Sequence, residues 1–309
     1  MSLGAVLCVA TACDGADAPA LAAPRPPVAE DADSTSLSAS LRQRIGTVAG
    51  AEVSLAVRDL ATGRGLDVAA ARVFHAASTM KVPVALAFYR EVDAGRLRAA
   101  DSLLLRNRFT SLVNGTPFSL SPSGDADALV YTFVGTRVRL DWLTERMITR
   151  SSNLATNALM TVLDTARINE QMRALGATTS LVRRGVGDDL ANAAGLDNVT
   201  TAADLAAILA SLERGQALSV ASTARMRALL LATTYQDEIP AGLPPGTPVA
   251  HKTGAISGTL HDAAIVYPAG RAPYILVVLT RGIPDQPTAQ RLIADLARLV
   301  HPWVVTGAR

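Results

Sequence analysis

The chain has 309 residues, with 29 Lys and Arg against 27 Asp and Glu, four histidines, two cysteines and 49% hydrophobic residues. A formal net charge of +2, with its basic residues spread evenly, leaves no nucleic-acid footprint. Both cysteines, Cys8 and Cys13, precede the bulk of the chain, which therefore has no disulfide framework and no cysteine metal site; H-E-x-x-H is also missing, so neither a metal nor another cofactor is expected.

Residues 1–12 are small and apolar, in the manner of the h-region of an export signal, and too short to span a bilayer. Cys13, after Ala10-Thr11-Ala12, is a candidate lipid anchor; the other reading is a plain signal with an incidental cysteine. Residues 13–35 are rich in Ala, Pro and Asp without apolar periodicity and read as a linker. The expected location is outside the cytoplasm, periplasmic or extracellular, either free or tethered at Cys13. Residues 36–309 are long enough for one large domain.

Within that domain, Leu37, Leu41 and Ile45 mark an amphipathic helix. Glu52 to Asp59 alternates as a strand, residues 61–65 turn, and Leu66 to Val68 pairs back. Met80 to Ala94 reads as a helix stopped at Gly95, with Pro83 tolerated in its first turns. Residues 107–139 are polar with several Gly and Pro, and are expected to rim a site. The middle, Ala76 to about Leu230, is expected to be mostly helical, and Thr201 with Asp204 resembles a capping box. Val249 to Thr253, Ala263 to Tyr267 and Tyr274 to Thr280 read as strands, and Thr288 to Val300 as a closing helix. Strands at both ends of a helical middle predict a mixed α/β fold of the α+β type, whose N- and C-terminal strands share a sheet.

Three short motifs fall at the seam of that layout: Ser78-Thr79-Met80-Lys81, Ser151-Ser152-Asn153 and Lys252-Thr253-Gly254. Each alone is commonly a helix cap, a loop or a turn; in this order they supply complementary chemistry. A serine hydroxyl needs an adjacent base. A three-residue spacing on a helix puts Ser78 and Lys81 on one face, at an N-terminus whose free N–H groups suit a developing oxyanion. Lys81 acts as a base only while neutral, and a dry pocket beside a second cation, Lys252, lowers its pKa. Lys252 would also attract an anionic substrate, and Gly254 would let a strand approach it closely.

The ordered set resembles the class A β-lactamases and penicillin-binding proteins. With Phe74 to Lys81, Met147 to Asn157, His251 to Gly254, Gly258 and His261-Asp262-Ala263, residues 36–300 resemble the class A β-lactamase-related serine hydrolases. The resemblance implies an antiparallel five-stranded sheet flanked by helices, plus an all-α subdomain. It implies Ser78 as nucleophile, Lys81 as base and Ser151 as proton relay to the leaving nitrogen. Asn153 would orient the substrate amide and tether Lys81, Lys252 and Thr253 would bind a carboxylate, and Ala255 N–H would complete an oxyanion hole with Ser78 N–H.

Several positions depart from the family pattern. Ser152 replaces an aspartate, and no arginine stands at the usual carboxylate-binding place after Lys252-Thr253-Gly254. The family's E-x-x-L-N string, whose glutamate activates the hydrolytic water, is absent. Asp188 and Asn192 keep its spacing, so Asp188 is the candidate deacylation base and Asn192 its companion, or both are loop residues. His75, His251 and His261 lie beside the motifs outside any G-x-S-x-G context and are read as structural or as supporting the site residues without touching substrate.

The leading expectation is hydrolysis of a β-lactam through an acyl-serine. The alternatives are a Ser-Lys peptidase, transpeptidase or esterase acting on a D-Ala-D-Ala-like donor, and a penicillin-binding module that barely turns over. The expected partner is a small-molecule acyl donor, with no nucleic acid, and the expected state is a monomer.

Overall fold

The segment Tyr274–Arg281 reads YILVVLTR, apolar on both faces, which suits a strand covered from both sides. The computed structural model, which describes residues 32–307, puts it at the centre of a sheet. In chain order the elements are α1 (Ala32–Gly46), β1 (Glu52–Asp59), β2 (Gly65–Val68), β3 (Phe74–His75), a 3-10 turn at Ala77–Met80, and α2 (Lys81–Asp93). Short strands β4 (Ser102–Leu104), β5 (Phe109–Thr110), β6 (Pro117–Phe118) and β7 (Arg137–Arg139) precede α3 (Leu140–Thr149). Then come α4 (Asn153–Met160), α5 (Thr165–Ala174), α6 (Asp189–Ala193), β8 (Val199–Thr200), α7 (Ala202–Glu213) and α8 (Val220–Leu231). The chain returns through β9 (Val249–Ile256), β10 (Thr259–Val266), β11 (Tyr274–Arg281) and α9 (Gln286–Thr306).

The five-stranded antiparallel sheet has the order β2-β1-β11-β10-β9, so the N- and C-terminal strands do share it. Alternation divides the core. Leu276 and Val278 join Val53, Leu55 and Val57 under α1 and α9, against Leu41, Leu292 and Leu296. Ile275, Val277 and Leu279 face the other way, onto Leu205, Ile208 and Leu209 of α7 and the helical layer beyond it.

The expected elements stand with shifted ends. The signal-like segment, Cys13 and most of the linker lie outside the described residues; α1 takes up the linker's last residues from Ala32. β10 begins at Thr259, earlier than its apolar pattern suggests, because His261 and Asp262 are fully buried by pairing. Residues 102–139 are largely short strands and 3-10 turns instead of helix, as their Gly and Pro content favours. Pro83 is the third residue of α2, where its missing N–H has no intrahelical partner to lose. Thr201 caps α7 by accepting from Asp204 N–H, but the Asp204 carboxylate turns to the N–H groups of Thr179 and Ser180, so half of the capping box forms.

Candidate active site

Ser78 lies in the 3-10 turn just ahead of α2, and Lys81 is the first residue of that helix. Their heads meet, Lys81 Nζ standing 3.0 Å from Ser78 Oγ. Lys81 is fully buried. Its Nζ lies 2.6 Å from the Ser151 carbonyl oxygen, 2.8 Å from Asn153 Oδ1 and 3.1 Å from Ser151 Oγ. A neutral amine has two N–H donors and one lone pair. The carbonyl and the amide oxygen can accept both donors, which leaves the lone pair for a serine hydroxyl. Burial, and then the positive charge of Lys252, hold the Lys81 amine well below the ordinary lysine range, while Asp125 pulls it back up.

Lys252 also comes to the Ser151 hydroxyl, with Nζ 3.0 Å from Ser151 Oγ and donating to its neighbour Thr253 O at 2.8 Å. It too is fully buried, and burial lowers its pKa to about 7 against the attraction of Asp262 and Glu238. Asp262 is itself buried and bonded to His251 Nδ1 at 2.9 Å, so His251 anchors the carboxylate beneath Lys252. The Tyr235 ring lies 5.8 Å from Lys252 Nζ. Ser151 has a φ of +60°, a strained value for a non-glycine residue, which the two lysines and the start of α4 keep in place.

β9 is an edge strand, so half of its N–H groups point away from the sheet. It passes so close to the nucleophile turn that a Cβ on Gly254 would sit 2.9 Å from Ser78 N and 3.0 Å from Thr79 N. No other residue type fits there without moving backbone. Ala255 follows on the same edge, is exposed, and pairs in register with Leu260. Thr253 is buried beside it. Three motifs far apart in sequence therefore converge on one cleft between the sheet and the helical layer.

Asp188 and Asn192 have other partners. The buried Asp188 carboxylate accepts from Ser111 Oγ at 2.8 Å, Leu112 N–H at 2.8 Å and Ala191 N–H at 3.0 Å, capping α6 and tying it to the 107–139 stretch. Burial alone would raise its pKa, but those hydrogen bonds and Arg184 outweigh it and hold the group below the ordinary carboxylate value. Three donors on an anion make it a strap and a poor base, at odds with the expected water-activating role. Asn192 is exposed and donates to Asp197 Oδ1 at 3.1 Å.

One contributor had no sequence signal. Asp125 accepts from Asn153 N–H and Leu154 N–H, both at 2.9 Å, and from Tyr131 Oη–H at 3.0 Å, so it fixes the helix start that carries Asn153. It shares the polar 107–139 stretch with one other acid, Asp127, and composition cannot choose between the two. Asn157, which closes the Met147 to Asn157 stretch, clamps the loop at Val186, accepting from Val186 N–H at 2.7 Å and donating to Val186 O at 2.8 Å. Among the described residues no cluster of three His, Cys, Asp or Glu is placed to hold a metal ion.

A family model described as the beta-lactamase enzyme family matches residues 36–304. A β-lactamase of Kitasatospora aureofaciens is 32% identical over 250 residues, covering 78% of this chain and 77% of its own. An ancestral class A β-lactamase superposes with a TM-score of 0.72 at 29% identity, over 85% of this chain and 98% of that one. A variant of PBP-A, solved as an acyl-enzyme complex with penicillin G, gives 0.75 at 26% identity, over 88% and 97%.

Proposed function

The chain belongs to the beta-lactamase enzyme family, and on that premise we propose that it opens β-lactam rings through an ester on Ser78. It is a serine hydrolase of the class A-like kind. The observation that carries the reading is the shared hydroxyl: Lys81 and Lys252 both stand within 3.1 Å of Ser151 Oγ while Lys81 also reaches Ser78 Oγ.

Neutral Lys81 takes the Ser78 proton as Oγ attacks the lactam carbonyl, and the oxyanion forms against the N–H groups of Ser78 and Ala255. The proton then passes through the Ser151 hydroxyl to the leaving nitrogen. Lys252 and Thr253 hold the substrate's carboxylate, and Asn153 holds both Lys81 and the substrate amide. For the second half, Lys81 is again the base: it draws a proton from water as that water attacks the ester, and Ser78 leaves with its hydroxyl restored. The bonding of Asp188 supports this choice over the aspartate.

Incubation with a penicillin followed by intact-mass spectrometry tests the reading. A single adduct on the Ser78 peptide, absent from Ser78→Ala, and steady hydrolysis of a chromogenic cephalosporin are expected; an adduct that persists in the variant places the nucleophile elsewhere. Export to the periplasm or exterior belongs to the same proposal, supported by the apolar residues 1–12 and the Ala/Pro-rich stretch after them. Resistance to β-lactams follows from it. Fractionation, with fatty-acid labelling of the native chain and of Cys13→Ala, separates a soluble product from a lipid-anchored one, and recovery of the uncleaved chain in the cytosol contradicts export.

A further inference from the structure

We propose that His75 is a positioning residue for acylation: its neutral ring holds the backbone turn that presents Ser78, and ties that turn to the loop carrying Arg184 and Asp197. The inference rests on the Ser78 acylation proposed above. Ala77, the residue before Ser78, has a φ of +46°, a left-handed conformation that a non-glycine residue adopts only when its surroundings impose it. Its N–H donates to His75 Nδ1 at 2.9 Å. The two residues before it are pinned as well. Ala76 N–H donates to Asn198 O at 2.8 Å, and His75 O accepts from His261 Nε2 at 2.9 Å.

A ring nitrogen that accepts carries no proton, so the His75 proton sits on Nε2. Nε2 faces Asp197 Oδ1 at 3.5 Å, and that oxygen takes Arg184 Nη2 at 2.7 Å. Asp197 thus selects the tautomer that leaves Nδ1 free for Ala77, and Arg184 holds Asp197. The chain of contacts runs from the loop to the oxyanion donor of Ser78 in four steps.

A second proton on the ring converts Nδ1 to a donor pointing at another donor, and the bond to Ala77 is lost. The charged groups facing the ring are Asp197, which favours that proton, and Arg184, which opposes it; His261 on β10 is neutral, its pKa pushed down by burial to about 4. Burial is the largest influence and sets the His75 titration below the ordinary value of 6.5. Acylation therefore proceeds above the His75 titration and declines as pH falls through it.

The test follows acylation by a fluorescent penicillin, from mildly acid to neutral pH, in the wild-type chain, His75→Ala and His75→Asn. Loss of one neutral hydrogen bond predicts a roughly 3- to 10-fold slower acylation in His75→Ala at neutral pH. Asn places an oxygen where Nδ1 stood, so His75→Asn recovers most of that loss and lacks the His75 part of the acid decline. Wild-type rates in His75→Ala, or an unchanged acid decline in His75→Asn, overturn the proposal. Nitrogen-15 NMR of the wild-type ring decides it independently of any β-lactam. An unprotonated Nδ1 at neutral pH, titrating together with the Ala77 amide proton, is expected; a protonated Nδ1 refutes the assignment. If wild-type protein takes up no acyl group, the proposed function fails, while the NMR result still judges His75.

Discussion

Lys81 and Lys252 compete for one environment, and their opposite needs set the pH profile. On the proposed mechanism Lys81 works while neutral, so acylation rises with pH through its lowered titration, and Lys252 binds a carboxylate while charged, so binding weakens as pH rises through about 7. The expected kcat/KM profile is a bell whose limbs belong to the coupled pair, with the His75 titration adding to the acid limb. A bound substrate carboxylate stabilises charged Lys252, so the basic limb of kcat lies at higher pH than that of kcat/KM. Coincident basic limbs would remove Lys252 from carboxylate binding. The same shift bears on stability. A lysine titrating near 7 folded and near 10.5 unfolded binds fewer protons when folded, so stability rises with pH across that window. Asp125 gives a companion prediction. Asp125→Asn takes away the anion that favours charged Lys81, so the acid limb of acylation moves to lower pH, while the looser hold on Asn153 raises KM. An acid limb that stays in place or moves upward would detach Asp125 from Lys81. The three motifs were legible at this scale because each is contiguous in sequence. Asp125 was not, and His75 was placed beside the first motif without a definite role, because a lone acid or histidine looks the same whether it caps, orients or faces water.

At the scale of elements, β9 and the nucleophile turn work as one unit because Gly254 lets them touch. Gly254→Ala puts a methyl against the Ser78 and Thr79 backbone nitrogens and the Ala77 Cβ, none of which can swing away. A displacement of about 1 Å at a reacting centre costs around 100-fold in rate, so acylation should fall by that order with the fold retained, measured as adduct formation beside circular dichroism. Wild-type acylation in this variant would mean that the cleft is wider than the structure shows. The loop at Asp188 supplies the contrasting case. Its spacing from Asn192 suggested a water-binding pair, yet its partners Ser111 and Leu112 lie 77 and 76 residues back in the chain, a contact that no local pattern announces. Asp188→Asn keeps a competent cap but sets an amide against one of the former donors. Stability should drop by about 1–3 kcal/mol, with burst and steady-state phases slowed alike. Selective accumulation of acyl-enzyme at unchanged stability would return the hydrolytic role to Asp188.

The described residues form two cores on opposite faces of one sheet, and the cleft lies on only one of them. The sheet was legible because β11 and β1 carry dense apolar runs, whereas the 102–139 region folds into short pieces whose order depends on distant partners such as Arg146, which grips Asp127 at both carboxylate oxygens. β11 lends alternate residues to both cores, so the two layers should unfold together. Leu276 is buried under α1 and α9, and Leu279 against the helical layer that carries Ser78 and Ser151; both have no exposed surface. Truncating a buried leucine costs about 2–5 kcal/mol. Leu276→Ala and Leu279→Ala should each lower the urea midpoint by a comparable amount, and the midpoints read by far-ultraviolet circular dichroism and by residual acylation should coincide in both. The distant site makes the first variant the sharper test. If Leu276→Ala loosens the α1–α9 face while acylation survives to the wild-type midpoint, the sheet does not couple its two sides, and the cleft is held by the helical layer alone.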